Sequence, residues 1–126
     1  FKANTNDTRE SPAIYICRKL LEEGALLNIY DPKVGSNQIS KDLEFSINDE
    51  QELNKNWFYS KSLEDAFTSA DAALFLTEWE EFQYLDWLNL SNLMRKPSWV
   101  FDTRSIVNIQ EAEKYGMKTW QVGYGN

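Results

Sequence analysis

An uninterrupted apolar run, Ala72-Ala73-Leu74-Phe75-Leu76-Thr77, constrains the fold of this chain more than any other stretch. A strand with one face in water alternates apolar and polar residues, and this run does not alternate. It is typical of a strand covered on both faces, as in a parallel sheet with a helix layer on each side. We therefore predict a central strand of a parallel sheet at this position.

Further apolar runs alternate with helical segments along the chain. A helix is predicted over residues 12–23, with Ser11 as its N-cap, Pro12 in its first turn and Gly24 at its end. Other predicted strands are 25–30, 57–59, 98–101 and 118–122, and other predicted helices are 38–43, 50–54, 63–67, 79–94 and 109–115. This order predicts a doubly wound α/β domain of Rossmann-like kind. Its mostly parallel sheet would have about five or six strands with helices on both faces, counting one strand that ends at Phe1.

The net charge limits the classes of partner. The chain has 126 residues, enough for one domain, and its 20 acidic and 13 basic residues give a net charge of −7. Nucleic acid and anionic membranes would be repelled by this charge, so neither is expected as a partner. An anionic ligand would therefore have to be bound by a local basic cluster.

Cysteine and histidine usage limits the compartment and the chemistry. With Cys17 as the single cysteine, and with no signal peptide and no long apolar run, we predict a cytoplasmic protein without a membrane span. No metal site is predicted, because the chain has no histidine and one cysteine.

Polar residues follow the predicted strands at their carboxyl ends, where ligands bind in sheets of this kind. Lys2 follows the first strand, Thr77 and Glu78 follow the central strand, and Asp102 and Arg104 follow the next. Arg104 could donate two hydrogen bonds to a phosphate or carboxylate, and Lys2 offers a compact charge for a diphosphate. These residues predict a binding crevice for an anion. The alternative is that Arg104 forms a local salt bridge.

The polar stretch before the first helix carries two cations. Lys2 and Arg9 flank the N-terminus of that helix, where unpaired backbone N–H groups favour a phosphate or carboxylate. The alternative is that Arg9 pairs with Asp7 or Glu10 and stays solvated.

Four segments resemble, in the same order and at similar spacing, the signatures of UDP-glucose 6-dehydrogenases in the UDP-glucose/GDP-mannose dehydrogenase family. They are Phe-Lys-x-Asn-Thr-x-Asp-Thr-Arg-Glu-Ser-Pro-Ala at residues 1–13, Tyr30-Asp31-Pro32-Lys33-Val34, Thr77-Glu78-Trp79 with Phe82, and Phe101-Asp102-Thr103-Arg104. The resemblance covers nearly all of the chain except residues 35–57. Thr103 stands where that family frequently has glycine.

The resemblance implies a role for four residues. Phe1, Lys2 and Arg104 would contact the nucleotide sugar, and Arg9 would contact NAD. It also implies that residues 1–126 form the C-terminal UDP-binding domain of a longer enzyme, with its NAD-binding and central domains absent from this chain. The expected partners are UDP-glucose, these two domains, and further copies of the full-length protein in a homo-oligomer.

The activity implied by the resemblance is the oxidation of UDP-glucose to UDP-glucuronate by two hydride transfers to NAD. The chain by itself is expected to be inactive, because the family's catalytic cysteine lies upstream of it and no residue here is assigned a catalytic role. No Gly-x-Gly-x-x-Gly occurs among the five glycines, so NAD would be bound mainly by the absent N-terminal domain.

Two alternative functions share this fold. One is a GDP-mannose or UDP-N-acetylhexosamine dehydrogenase, because none of these residues reads the sugar hydroxyls directly. The other is a non-catalytic module for nucleotide binding or oligomerisation.

Three further side chains receive structural interpretations. The helical spacing places Cys17 on the buried face with Ala13, Ile16 and Leu20, so we expect a packing role for its thiol and no catalytic one. Trp79 and Phe82 follow a strand end, and we predict that they are exposed at an interface with the rest of the enzyme.

Overall fold

The computed structural model describes residues 11–45 and 56–123. The chain divides into two compact units, Phe1–Ser62 and Leu63–Asn126. Parallel strands alternate with helices in both units, which confirms the predicted α/β class. The described strands form two small sheets, of two and three strands. The predicted strand ending at Phe1 and the predicted helix 50–54 lie outside the described residues.

The first unit contains a two-stranded parallel sheet and two helices. Its elements are α1 (Pro12–Glu22), β1 (Leu27–Ile29), α2 (Ser36–Phe45) and β2 (Trp57–Tyr59). Strands β1 and β2 pair in parallel, with Leu27 opposite Trp57. Helix α2 packs against α1 and is longer than the predicted 38–43. The side chains of Ile39 and Leu43 in α2 are almost fully buried.

Helix α1 begins at the predicted residue, Pro12, and ends at Glu22, one residue before the predicted end. The Oγ of Ser11 accepts a hydrogen bond from the backbone N–H of Ala13 at 3.0 Å, which satisfies one of the free donors of the first turn. Gly24 has φ +91°, a left-handed conformation that closes a helix with little strain only in glycine.

The buried face of α1 is slightly rotated from the predicted one. Its buried residues are Ala13, Ile14, Cys17 and Leu21. Ile16 and Leu20, which we expected on this face, are half-buried. The predicted burial of Cys17 is confirmed.

The second unit contains a three-stranded parallel sheet. Its elements are α3 (Leu63–Phe67), β3 (Ala72–Phe75), a 3₁₀ helix (Glu80–Gln83), α4 (Trp87–Leu93), β4 (Trp99–Asp102), α5 (Ile109–Lys114) and β5 (Lys118–Gln121). The strand order is β3-β4-β5. Within the described residues β4 has a partner on each side and β3 pairs with β4, while the predicted strand ending at Phe1 lies outside these residues, so the central position of β3 stays a prediction.

One face of this sheet packs on an aromatic core. Phe75 of β3 contacts Phe82 edge to face, with ring centroids 5.2 Å apart, and it also approaches Phe67 and Trp87. Edge-to-face contacts of this kind add to the stabilisation that apolar burial supplies. Val100, on the neighbouring strand β4, is completely buried.

The helix predicted over 79–94 is broken into two elements. The 3₁₀ helix ends at Gln83, and Tyr84 leaves helical geometry with φ −125° and ψ 43°. Asp86 then caps α4, since its side-chain oxygen accepts a hydrogen bond from the backbone N–H of Asn89 at 3.3 Å. Asp is a preferred N-cap residue, so the second helix starts at its own signal inside the apolar run.

Candidate functional site

Arg104 is the predicted ligand contact that the structure describes. Phe1, Lys2 and Arg9 lie outside the described residues. Arg104 follows β4, and Glu78 follows the neighbouring strand β3. The carboxyl ends of parallel strands meet at one edge of a sheet, and it is at this edge that doubly wound folds bind their ligands.

The ends of β3 and β4 are joined directly. Phe75 and Asp102 are paired in register as the last residues of the two strands. Beyond them, the backbone N–H and the Oγ1 of Thr103 both donate to the carbonyl oxygen of Phe75, at 3.1 and 2.8 Å. The hydroxyl of Thr103 thus makes a cross-strand bond that glycine could not make.

Asp102 is fully buried at this strand end and accepts four hydrogen bonds. Its Oδ1 accepts from the backbone N–H of Arg104 at 2.9 Å. Its Oδ2 accepts from the backbone N–H groups of Ile106 and Val107 at 2.9 and 2.8 Å, and from Nε2 of Gln121 at 2.7 Å. These donors compensate the loss of water around the carboxylate. Asp102 therefore fixes the backbone of the segment that carries Arg104.

The same segment contains one residue in a left-handed conformation. Ser105 has φ +58°, which is uncommon for a residue with a side chain. Its Oγ donates to the carbonyl oxygen of Val122 at 2.8 Å, and the N–H of Val122 donates to the carbonyl oxygen of Asp102 at 3.0 Å. The turn after β4 is thereby attached to the end of β5.

The guanidinium of Arg104 forms an ion pair with Glu78. Nη2 of Arg104 lies 2.9 Å from Oε1 of Glu78, and the two side chains are 40% and 50% exposed. The sequence left open whether Arg104 forms a local salt bridge. Such a bridge exists, and its partner is Glu78 on the adjacent strand end, while Asp102 is occupied by backbone donors.

The geometry leaves Arg104 suited to anion binding. A guanidinium has five N–H donors in a planar fork, and the contact with Glu78 involves one of its nitrogens. The remaining N–H donors belong to a side chain that is partly exposed, and Asp102 holds the main chain of this residue in place. Such a group can donate two parallel hydrogen bonds to a phosphate or carboxylate.

The prediction that Trp79 and Phe82 are exposed is wrong. Both side chains are 5% exposed. Phe82 packs its ring edge to face with Phe75, so burial in the core of the second unit explains its position. Thr77, which precedes them, is also buried. Of the polar pair at the end of β3, it is therefore Glu78 that reaches the surface.

Burial makes the Cys17 thiol unreactive at neutral pH. Its removal from water on the inner face of α1 raises the pKa of the thiol to about 12. A nucleophilic cysteine needs its thiolate form, which this pKa disfavours.

The sequence interpretation missed Gln121 as part of this edge. Gln121 ends β5 and donates from Nε2 both to Asp102 and to the carbonyl oxygen of Val107, at 2.7 and 2.9 Å. The available signal was alternation, because Thr119 and Gln121 occupy one face of β5 and Trp120 occupies the other. The register places Gln121 beside Asp102.

The described residues contain neither a cluster of metal-ligating side chains nor a membrane-spanning helix. Within residues 11–45 and 56–123, no three His, Cys, Asp or Glu side chains are grouped as metal ligands would be. In the same part of the chain, no helix has both the length and the apolar character needed to cross a bilayer.

Comparison with known proteins finds similarity over most of this chain. Residues 1–109 match the family described as the UDP-glucose/GDP-mannose dehydrogenase family, UDP binding domain. The chain is 41% identical over 125 residues to a UDP-glucose 6-dehydrogenase of Drosophila melanogaster, and 37% identical over 123 residues to one of Caenorhabditis elegans. It is 35% identical over 137 residues to UDP-glucose 6-dehydrogenase 2 of Arabidopsis thaliana. Each match covers 98% of this chain but only 25 to 28% of the relative.

Proposed function

We propose a function from one premise, that the chain belongs to the UDP-glucose/GDP-mannose dehydrogenase family and corresponds to its UDP binding domain. On this basis, the chain binds the UDP moiety of a nucleotide sugar. The sugar is glucose, as the names of the relatives suggest. The chain serves an enzyme that oxidises UDP-glucose to UDP-glucuronate.

The observation that carries this proposal is the presentation of Arg104 at the carboxyl edge of a parallel sheet. Its main chain is fixed by a buried carboxylate, and its guanidinium is partly exposed. A fixed fork of donors loses little conformational entropy when it binds a diphosphate. By their resemblance to the family's motifs, Phe1 and Lys2 are proposed as further substrate contacts.

NAD is proposed as the cofactor of the complete enzyme, where two NAD⁺ molecules would each take up one hydride for every UDP-glucose oxidised. The described residues contain no glycine-rich turn that opens a helix, the usual cradle for a dinucleotide pyrophosphate. The residues of this chain therefore fit the cofactor only at its periphery, and Arg9 is the contact proposed from the resemblance. For a complete protein of the relatives' length, we also propose an NAD-binding domain, a central domain and assembly into a homo-oligomer.

Calorimetric titration of the protein with UDP tests the assignment of Arg104. We expect Arg104→Ala to weaken binding by about 1.5 to 3 kcal/mol, roughly 10- to 150-fold, as for the loss of a hydrogen bond to a charged group. Arg95→Ala is the matched control, because Arg95 is likewise exposed and paired with a carboxylate, that of Asp71, at 3.2 Å. Asp71 precedes β3, at the opposite end of that strand.

Unchanged UDP affinity in Arg104→Ala, or an equal loss in Arg95→Ala, would place the ligand elsewhere. The same titration with UDP-glucose, GDP-mannose and UDP-N-acetylglucosamine distinguishes the possible sugars, and UDP-glucose should bind most tightly. Binding of UDP by a complete protein that oxidises none of the three would favour the alternative of a non-catalytic nucleotide-binding module.

A further inference from the structure

We infer that Glu78 is an internal competitor for the ligand, a carboxylate that occupies the guanidinium of Arg104 until an anion displaces it. Its Oε1 lies 2.9 Å from Nη2 of Arg104. This is the distance at which a phosphate oxygen would accept a charge-assisted hydrogen bond from the same nitrogen. The inference rests on the proposed role of Arg104 in binding the nucleotide phosphates.

The main chain around each partner is held in place, so displacement requires movement of the Glu78 side chain only. Thr77 and Trp79, on either side of Glu78, are 8% and 5% exposed. On the other strand, Asp102 binds the backbone N–H of Arg104. The ion pair can thus open and close without rearrangement of the strand ends.

The exposure of the pair makes it weak enough to be displaced. Both side chains are substantially exposed, at 40% and 50%, so water and salt screen their attraction. Exposed ion pairs of this kind change an equilibrium by at most about fivefold. A diphosphate carries more charge than a carboxylate and can accept two parallel hydrogen bonds from the fork, so it should win the competition.

The placement of Asp102 argues against the opposite role, in which Glu78 would hold Arg104 ready for the ligand. The main chain of the turn that carries Arg104 is already fixed by three hydrogen bonds from its backbone N–H groups to Asp102. A second carboxylate is not needed for that purpose, and its negative charge opposes any anion that approaches Arg104. Glu78 would therefore act as a specificity-determining residue, which disfavours weakly bound monoanions relative to a nucleoside diphosphate.

The test compares the affinity of the protein for UDP in Glu78→Gln with that of the wild-type protein. We expect Glu78→Gln to bind UDP about two- to fivefold more tightly, the range that an exposed ion pair allows. Glu80→Gln is the matched control. It removes the same charge from an exposed residue only two positions along the chain, and its UDP affinity should remain within about 1.5-fold of the wild-type value, since solvent-exposed charges out of contact are largely screened.

The same pair of affinities is then measured in an Arg104→Ala background. If Glu78 competes for Arg104, Glu78→Gln has no further effect there, and the double-mutant cycle shows coupling between the two residues. Weaker or unchanged binding of UDP by the single variant Glu78→Gln would overturn the inference. Equal tightening with and without Arg104 would also overturn it, because Glu78 would then act through its field alone.

The proposed function and this inference fail in different ways. An Arg104→Ala variant with wild-type affinity for UDP contradicts the proposed binding role of Arg104 itself. If Arg104→Ala binds UDP more weakly but Glu78→Gln binds UDP no more tightly than the wild-type protein, the binding role of Arg104 stands. Only the competition by Glu78 is then excluded. Because the side chain of Glu78 is half exposed, Glu78→Gln should fold normally, and a thermal melt coincident with that of the wild-type protein verifies this.

Discussion

The two ends of strand β4 bury polar side chains in opposite ways. At the carboxyl end, Asp102 is completely buried and accepts four hydrogen bonds. Directly before the strand, Ser98 is 1% exposed and its Oγ has no hydrogen-bond partner among the described residues. Both side chains are deprived of water, but only the first is compensated.

This difference indicates that the two ends of β4 have different structural roles. Three of the donors to Asp102 are backbone N–H groups of the turn after the strand, so the carboxylate specifies the path of that turn. The turn carries Arg104, the proposed ligand contact. Within the described residues, the hydroxyl of Ser98 fixes no neighbouring segment through a hydrogen bond. The buried polar side chain that organises its surroundings, Asp102, therefore lies at the proposed binding edge of the sheet.

The largest effect is expected from Asp102→Asn. The amide oxygen can replace Oδ2, which accepts from Ile106, Val107 and Gln121. The NH2 group, however, then faces the backbone N–H of Arg104, so two donors oppose each other without an acceptor. Leaving buried donors without acceptors costs about 1 to 3 kcal/mol each. We expect the free energy of unfolding, measured by urea denaturation, to fall by about 3 kcal/mol or more.

The control for this variant is Asp71→Asn. It makes the same chemical change at an exposed aspartate whose partner, Arg95, lies at 3.2 Å. Exposed ion pairs contribute at most about 1 kcal/mol, so this loss should be small. Equal losses in Asp102→Asn and Asp71→Asn would show that the buried network at the carboxyl end has no special weight.

The sequence predicted the position of this edge but not the contacts between its side chains. Glu78 and Arg104 were expected at neighbouring strand ends, and the 2.9 Å ion pair confirms that they meet. The two residues are 26 positions apart, so their pairing depends on the register of β3 against β4, which no local pattern reveals. For the same reason Asp102 could be placed at a strand end, whereas its burial and its bond to Gln121 could not be foreseen.

Element prediction succeeded where a local signal decides the backbone. The positive φ angle of Gly24 stands after α1, where the sequence predicts the end of the helix. Element prediction failed where a segment has apolar residues on all of its faces. Over 79–94 the apolar residues cover nearly the whole circumference, so periodicity obscured the N-cap at Asp86. The burial of Trp79 likewise follows from tertiary packing.

Cys17 provides a further test of the effect of burial on a side chain, because burial dominates the pKa of its thiol. Burial raises the pKa of its thiol to about 12 in the folded protein, from an ordinary value of 9.0. Above about pH 9 the unfolded chain releases this proton while the folded chain keeps it. The stabilisation from the protonated thiol is thus complete below pH 9 and is lost as the pH rises toward 12, by about 1.4 kcal/mol per pH unit.

The measurement is urea denaturation at pH 8, 9 and 10 on the wild-type protein and on Cys17→Ala. Other groups also titrate in this range, and the difference between the two proteins cancels their contribution. The wild-type protein should lose stability relative to Cys17→Ala as the pH rises from 9 to 10. Parallel pH profiles would mean that the thiol titrates alike in the folded and unfolded chains, against the burial seen on α1.

The smallest effect is expected from Ser98→Ala, and its sign decides whether the two ends of β4 differ at all. Removing a buried hydroxyl without a partner relieves its desolvation cost, so the free energy of unfolding should rise by a few tenths to about 1 kcal/mol. Ser91→Ala is the matched control, since Ser91 is equally buried but its Oγ donates to the carbonyl oxygen of Leu88 at 3.2 Å. Ser98→Ala should therefore be more stable than both the wild-type protein and Ser91→Ala. A loss of stability in Ser98→Ala would mean that its hydroxyl has an acceptor after all, and that both ends of the strand satisfy their buried polar groups.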